Sequence, residues 1–152
     1  MGVKTKKAKD LSLATSGFIV DRTAKRMKQF YQQMLKQHDL GITVDQWVIL
    51  QALDKEDGLS QFELGQRCYK DAPTLTRIID LLCHKKLLRR EKDPIDRRKF
   101  KICLSAEGKA KIKAVLPVLR KFRAQCWKGL AEEDLKRLTE IMNTIFNNIK
   151  TD

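Results

Sequence analysis

Residues 59–84 read "LSQFELGQRCYKDAPTLTRIIDLLCH", and this stretch decides the fold. Ser60 is an N-cap, Glu63 stands at N3, and Leu59 at N′ can pack on Leu64 at N4, so a capping box and a hydrophobic staple share six residues. The helix they start is short and ends near Tyr69. Asp71 can cap a second helix, in which Pro73 is tolerated only because it falls in the first turn. A short helix, a tight turn and another helix form a helix-turn-helix arrangement. In the second helix Leu75, Ile78, Ile79 and Leu82 stand at i, i+3, i+4 and i+7, the stripe that faces a core. The opposite face, at about 100° per residue, centres on Arg77 and His84, with Asp80 beside them and Thr74 and Thr76 toward its start.

Beyond this helix the period changes. From Leu87, "LLRREKD" can pair with "RKFKICL", where Phe100, Ile102 and Leu104 alternate with Lys99, Lys101 and Cys103. Alternation of this kind predicts a half-buried strand, so "DPIDR" becomes the turn of a hairpin. Asp96, Arg97, Arg98 and Lys99 stand side by side at that turn. From Lys85 to Lys101 there are nine Lys and Arg against three acids. The whole chain of 152 residues has 32 Lys and Arg against 19 Asp and Glu, a net charge of +13. Like charges concentrated in this way repel one another unless a polyanion takes them up. Release of condensed counterions makes such a patch favourable on duplex DNA. The exposed helix face offers a guanidinium and two hydroxyls for base edges and phosphates. Candidate DNA contacts are therefore Ser60, Thr74, Thr76, Arg77 and His84, with Arg97, Arg98 and Lys99 at the hairpin tip. An arginine there gains from the negative potential of a narrow minor groove. Asp96 would repel phosphate, and its reading is a residue that holds Arg98 two positions on. A solvated charged face is the bland alternative for each.

Helices flank this centre. Val20, Ala24, Met27, Tyr31, Met34 and Leu35 recur at three- and four-residue steps, so a helix is predicted from about Leu13 to Gln37. Before it, "MGVKTKKAKD" reads as a disordered basic arm over residues 1–12. Thr43 with Gln46 at N3 starts a helix carrying Trp47, Val48, Leu50 and Leu53. Ser105 caps a long helix with Ile112, Val115, Leu119, Phe122 and Cys126 on one face, and Pro117 should kink it. In the last helix, from about Ala131 to Lys150, Leu135, Leu138, Met142, Ile145 and Ile149 are spaced 3, 4, 3, 4. This seam is narrower than a globular core face and suits packing on another helix.

The N-terminus has no apolar run that would make a signal peptide, and no stretch approaches the ~20 apolar residues of a membrane span. Four cysteines, 68, 83, 103 and 126, form no C-x-x-C pair, which fits a reducing cytoplasm. Cys68 and Cys126 read as core. Cys83, at the flank of the second helix, and Cys103, on the far side of the hairpin, are the possible redox positions. With only two histidines, His38 and His84, no ligand spacing, no nucleophile motif and no phosphate-cradling loop, no metal, cofactor or enzyme activity is expected.

"PTLTRIIDLL" followed by "DPIDRRKFKICLSAEGK" resembles the MarR family of winged helix-turn-helix transcription regulators. The family's T-R-x-x-D-x-L, D-x-R and L-[ST]-x-x-G patterns correspond here to Thr76, Arg77, Asp80 and Leu82, to Asp96 and Arg98, and to Leu104, Ser105 and Gly108. The resemblance runs from about residue 13 to 150. It implies a mainly α fold with a small β-hairpin wing: a winged helix-turn-helix domain over 43–104, with dimerisation helices over 13–40 and 105–150. It further implies a homodimer on a palindromic double-stranded operator, with the recognition helix in the major groove and Arg98 in the adjacent minor groove. Regulation would be repression, released by a small aromatic ligand or an oxidant; Tyr31, His38 and Trp47 could line a ligand pocket, with a core or internally satisfied role as the first reading of each. Some members sense oxidants through a cysteine in the first helix, and this chain has none there. Two positions depart from the family: Lys86 replaces the usual glycine after the recognition helix, and Ala131 replaces a Ser or Thr cap. A winged helix that binds RNA or protein is the alternative, because fold does not decide the ligand.

Overall fold

A computed structural model of the chain describes the backbone of residues 2–150 and the side chains of residues 15–150. The elements follow in the order α1 (Gly2–Gln37), α2 (Val44–Lys55), β1 (Leu59–Ser60), α3 (Gln61–Cys68), α4 (Ala72–His84), β2 (Leu88–Lys92), β3 (Phe100–Leu104), α5 (Ala106–Cys126) and α6 (Glu132–Asn148). The chain is mainly α with a small antiparallel sheet, as expected. The start of α1 differs from expectation. The backbone is already helical at Gly2, where a basic arm was expected over residues 1–12. Lysine, alanine and leucine all favour helix, and no proline interrupts them. Residue 1 and the side chains of that arm lie outside the described residues.

The helix starts are those the sequence marks. Thr43 Oγ1 accepts from Gln46 N (3.1 Å) while Gln46 Oε1 accepts from Thr43 N (3.2 Å). Ser60 and Glu63 make the same reciprocal pair, and Asp71 Oδ1 accepts from Thr74 N (2.9 Å). Each satisfies donors that a helix start would otherwise leave unpaired. At α6 the cap Ala131 has no side-chain acceptor, and only the return half of the box is made, with Ala131 N donating to Asp134 Oδ2 (2.9 Å).

Tyr31, Met34 and Leu35 of α1, Trp47, Ile49, Leu50 and Leu53 of α2, the inner stripe of α4, and Ile112, Val115, Leu119 and Phe122 of α5 form one buried cluster. α5 runs through Pro117 as a single helix. The sheet has strand order β1-β3-β2, so the expected hairpin gains a third strand. Leu88 pairs with Leu104 and Lys92 with Phe100, while Leu59 pairs with Ile102 and Ser60 with Lys101. The addition of β1 corrects the reading of Cys103. Expected on the exposed side of the hairpin, it is buried, because the chain at Gly58 covers it.

The end of α4 shows how the departure at Lys86 is accommodated. Lys86 takes the left-handed conformation (φ 61°) that glycine favours. Lys86 N donates to Cys83 O and Leu87 N to Leu82 O, both at 2.9 Å, closing the helix end. The carbonyl of Lys86 accepts from Ser105 Oγ (2.6 Å), and Ser105 N donates to Leu87 O (3.1 Å). Gly108 lies so close that a Cβ on it would overlap the carbonyl oxygen of Leu87. The L-S-x-x-G pattern is therefore a packing requirement: it fastens the start of α5 to the junction of α4 and β2.

Candidate nucleic-acid interface

α3 and α4 meet at a turn in which Tyr69 is left-handed (φ 51°). On α4, Leu75, Ile78, Ile79 and Leu82 face inward and Thr76, Arg77, Asp80 and His84 are exposed, as the spacing predicts. The polar side chains on this face are not equally free. Thr74 Oγ1 donates to Asp71 Oδ2 (2.8 Å), and these Thr74 hydrogen bonds hold the Asp71 carboxyl below the usual range. Thr76 Oγ1 donates to Ala72 O (2.9 Å) and accepts from Gln61 Nε2, which ties α3 to α4. Ser60 Oγ donates to Glu63 Oε2 (2.7 Å). Arg77 and His84 make no hydrogen bond or ion pair among the described residues, so Arg77 is the cation that this face leaves available.

The sequence gives no sign of Arg90 as a partner. Its Nη2 lies 2.6 Å from Asp80 Oδ1, joining β2 to the exposed face of α4. The pair cancels the one acid on that face and sets the strand against the helix. Periodicity turns Asp80 outward, but only the register of β2 brings Arg90 to it.

The nine basic residues from Lys85 to Lys101 divide the same way. Lys85 Nζ donates to Gly41 O (2.7 Å) and Gln46 Oε1 (2.9 Å), and partial burial lowers its pKa. Arg89 Nη1 donates to Leu104 O (2.6 Å), and Arg90 is taken by Asp80. Lys101 lies 4.0 Å from Asp93. Lys92, Arg97 and Lys99 have no side-chain partner among the described residues.

Two aspartates build the tip of the wing. Asp93 Oδ1 accepts from Ile95 N (2.8 Å) and Asp96 N (3.2 Å), which holds its carboxyl below the usual range. Asp93 N donates to Lys99 O, and Lys99 N to Asp96 O, both at 2.9 Å. Asp96 Oδ1 accepts from Arg98 N (3.1 Å), while Arg98 Nε stands 3.7 Å away and the Arg98 side chain is 94% exposed. The firm contact is thus to the backbone of Arg98, and the ion pair is loose. Asp93 was not singled out from the sequence. The two-residue step from aspartate to a backbone N–H, the Asx turn, is the signal that would have found it.

The other expected sites fare differently. Leu135 is half-buried, and Leu138, Met142, Ile145 and Ile149 on α6 are exposed. The seam is wider than expected, because exposed Ile141 and Phe146 extend it. The Phe146 ring meets Tyr69 edge-on, with centroids 5.2 Å apart. Tyr31 and Trp47 are core residues and His38 is exposed, so these three do not converge on a pocket. The Tyr31 ring lies 4.6 Å from that of Phe122, its buried hydroxyl has no hydrogen-bond partner among the described residues, and burial pushes its pKa up to about 12. A cavity of about 1060 Å³ opens elsewhere, between α3, the start of α4 and the end of α6, lined by Phe62, Tyr69, Lys70, Leu75, Phe146 and Ile149. Burial raises the thiol pKa of both Cys83 and Cys103, opposite to what a reactive thiolate needs. Among the described residues no group of three His, Cys, Asp or Glu could hold a metal ion, and no helix is long and apolar enough to cross a membrane.

Known proteins share this arrangement. A MarR family model matches residues 40–99, from the start of α2 to the wing tip. The transcriptional regulator HosA of Escherichia coli O111:H- is 25% identical over 125 residues, which is 80% of this chain and 93% of HosA. The HTH-type transcriptional repressor IacR of Pseudomonas putida is 25% identical over 83% of this chain and 74% of its own length. The structure of Bordetella bronchiseptica BpsR, solved for the regulation of its DNA binding by 6-hydroxynicotinic acid, matches with a TM-score of 0.78 and 25% identity, over 85% of this chain and 91% of BpsR. The helix-turn-helix, the wing and these relatives together support a winged-helix transcriptional regulator of the MarR type.

Proposed function

We propose that the protein is a homodimeric repressor that binds a palindromic duplex operator and is released by a small aromatic ligand. The observation that carries this reading is the sorting of its cations. Lys85, Arg89 and Arg90 serve the fold, while Arg77 on α4 and Arg97 and Lys99 on the wing are unpaired and Arg98 is only loosely held. Unpaired cations on α4 and on the wing offer a polyanion two points of contact. In this reading residues 43–104 form the DNA-binding unit. Arg77 reads base edges in the major groove, with Thr74, Thr76, His84 and Ser60 beside it. Arg98 enters the minor groove, Arg97 and Lys99 hold phosphates, and Asp96 orients the loop at Arg98.

Residues 13–40 and 105–150 form the dimerisation region in this reading. Support comes from α6, which buries no side chain in the protomer although its apolar stripe runs its full length. A two-fold dimer would place its two recognition helices on symmetric half-sites. The effector would occupy the cavity between α3, α4 and α6, where the rings of Phe62, Tyr69 and Phe146 suit an aromatic compound. IacR, a repressor, and BpsR, whose DNA binding is regulated by 6-hydroxynicotinic acid, are the precedents for repression and for a ligand of that class. Release by an oxidant has less support, because both candidate thiols are raised in pKa. A regulator of this kind works where the chromosome is, in the cytoplasm.

The test is salt-dependent binding to a duplex recovered by the protein from random-sequence DNA, run against single-stranded RNA. Arg77→Ala should lose about 1–3 kcal/mol of discrimination between that duplex and unrelated DNA. Tighter binding to RNA, or unchanged discrimination in Arg77→Ala, would overturn the reading in favour of a different ligand for this surface.

A further inference from the structure

We propose that Ile95 is an apolar contact to the minor groove, held out at the wing tip to work beside Arg98; the inference rests on the duplex-binding reading above. Ile95 is 94% exposed, the highest value of any large hydrophobic side chain among the described residues. Its neighbours at the tip are Pro94, Asp96, Arg97, Arg98 and Lys99. An isolated apolar residue among cations is too small a patch to dock a folded protein partner.

The backbone also prevents Ile95 from retracting. Pro94 fixes the preceding φ, Asp93 Oδ1 accepts from the amide of Ile95 (2.8 Å), and the loop is closed by the hydrogen bonds between Asp93, Asp96 and Lys99. Exposing a full isoleucine to water on a rigid loop gives the free protein nothing. It gains only when that surface is covered. The β-branched side chain has few rotamers to lose on contact, so little ordering entropy opposes binding.

Minor-groove chemistry matches this side chain. Apolar residues are what proteins insert into that groove. Where the pairs are A·T, the groove floor carries no amino group, whereas G·C adds the guanine N2 donor. Arg98, equally exposed on the same loop, gains from the negative potential of a narrow A·T groove. One loop would thus present two signals for the same groove: a charge that draws it in and an apolar surface that fits only when the floor is clear. That makes Ile95 a determinant of the A·T preference in the operator flanks.

The experiment compares wild type, Ile95→Ala, Ile95→Leu and Arg98→Ala on the duplex that the wild type selects, across a salt series. Ile95→Ala should bind roughly tenfold more weakly, and Ile95→Leu close to wild type. The slope of log affinity against log salt should be unchanged in Ile95→Ala, whereas Arg98→Ala should lower it by about one. Replacing the flanking A·T pairs by G·C should remove the difference between wild type and Ile95→Ala; replacing them by I·C, which leaves the groove floor clear, should keep it. Ile95→Ala binding within about twofold of wild type, while Arg98→Ala is weakened, would overturn the role of Ile95 and leave duplex binding standing. A wild type that selects no duplex would overturn both.

Discussion

Helices α4 and α6 carry the same apolar spacing and meet opposite fates. In α4 the stripe is Leu75, Ile78, Ile79 and Leu82, each at most 3% exposed. In α6 it is Leu138, Ile141, Met142 and Ile145, again at i, i+3, i+4 and i+7, and each is 39–49% exposed. Spacing shows that a face needs cover, and it does not show what provides the cover. For α4 the cover is α2, α3 and the strands of the same chain. For α6 the protomer half-buries Leu135 and sets Phe146 edge-on to Tyr69, and leaves the rest of the stripe exposed. The two stripes differ in supply and not in pattern: the first is covered within the chain, and the second is left exposed in the protomer.

The largest expected effect comes from treating the two stripes alike. Ile79→Ala should cost about 2–5 kcal/mol of folding stability, because it leaves a cavity in a fully buried site. Urea denaturation measures this directly, and a loss below 1 kcal/mol would mean that α4 is not packed as described. Leu138→Asp should leave the helical signal by circular dichroism intact and abolish the dimer in sedimentation, because a charge would be buried in the seam. A wild type that sediments as a monomer would break the comparison itself, since α6 would then need no cover.

The third effect separates two accounts of the wing. Asp96→Ala removes both the turn acceptor and a negative charge near DNA; long-range electrostatics alone forecasts tighter binding. If Asp96 instead fixes the backbone of Arg98, binding weakens, by about the 0.5–1.5 kcal/mol of one hydrogen bond. The 3.1 Å contact to Arg98 N favours weakening. Tighter binding in a gel-shift titration would show that Asp96 does not orient the loop. The smallest effect concerns the helix end shared by α4 and the wing. Lys86→Gly should raise stability by about 1 kcal/mol by relieving the left-handed conformation, read as a higher melting temperature with unchanged DNA affinity.

What was legible in the sequence was whatever depends on neighbours along the chain. Thr43, Ser60, Asp71 and Ser105 mark helix starts through side chains that act within three residues, and all four do so in the structure. The alternation from Phe100 to Leu104 gave the hairpin. β1 was missed because two residues cannot display a period and exist as a strand only against Ile102 and Lys101. The site was legible in outline but not in its pairing. Charge density marks the segment from Lys85 to Lys101, yet which cations remain free depends on Gln46, Asp80 and Leu104, brought there by tertiary packing. Tyr31 and Trp47 stand in the apolar spacing of their helices and are core residues in space, as that spacing suggests, and not the pocket lining that the resemblance allowed.

The fastening of α5 at Ser105 and Gly108 has a mechanical consequence. Ser105 grips the carbonyl of Lys86, and Gly108 sits against Leu87, so the foot of α5 cannot slide or pivot independently of the last turn of α4. With its 21 residues, α5 is a rod roughly 30 Å long. Its far end leads into α6. A change of angle there would be carried along the rod to its foot, and through the foot to the last turn of α4. Gly108 is the weld at that foot, and a side chain at this position would loosen the transmission before it touched either end.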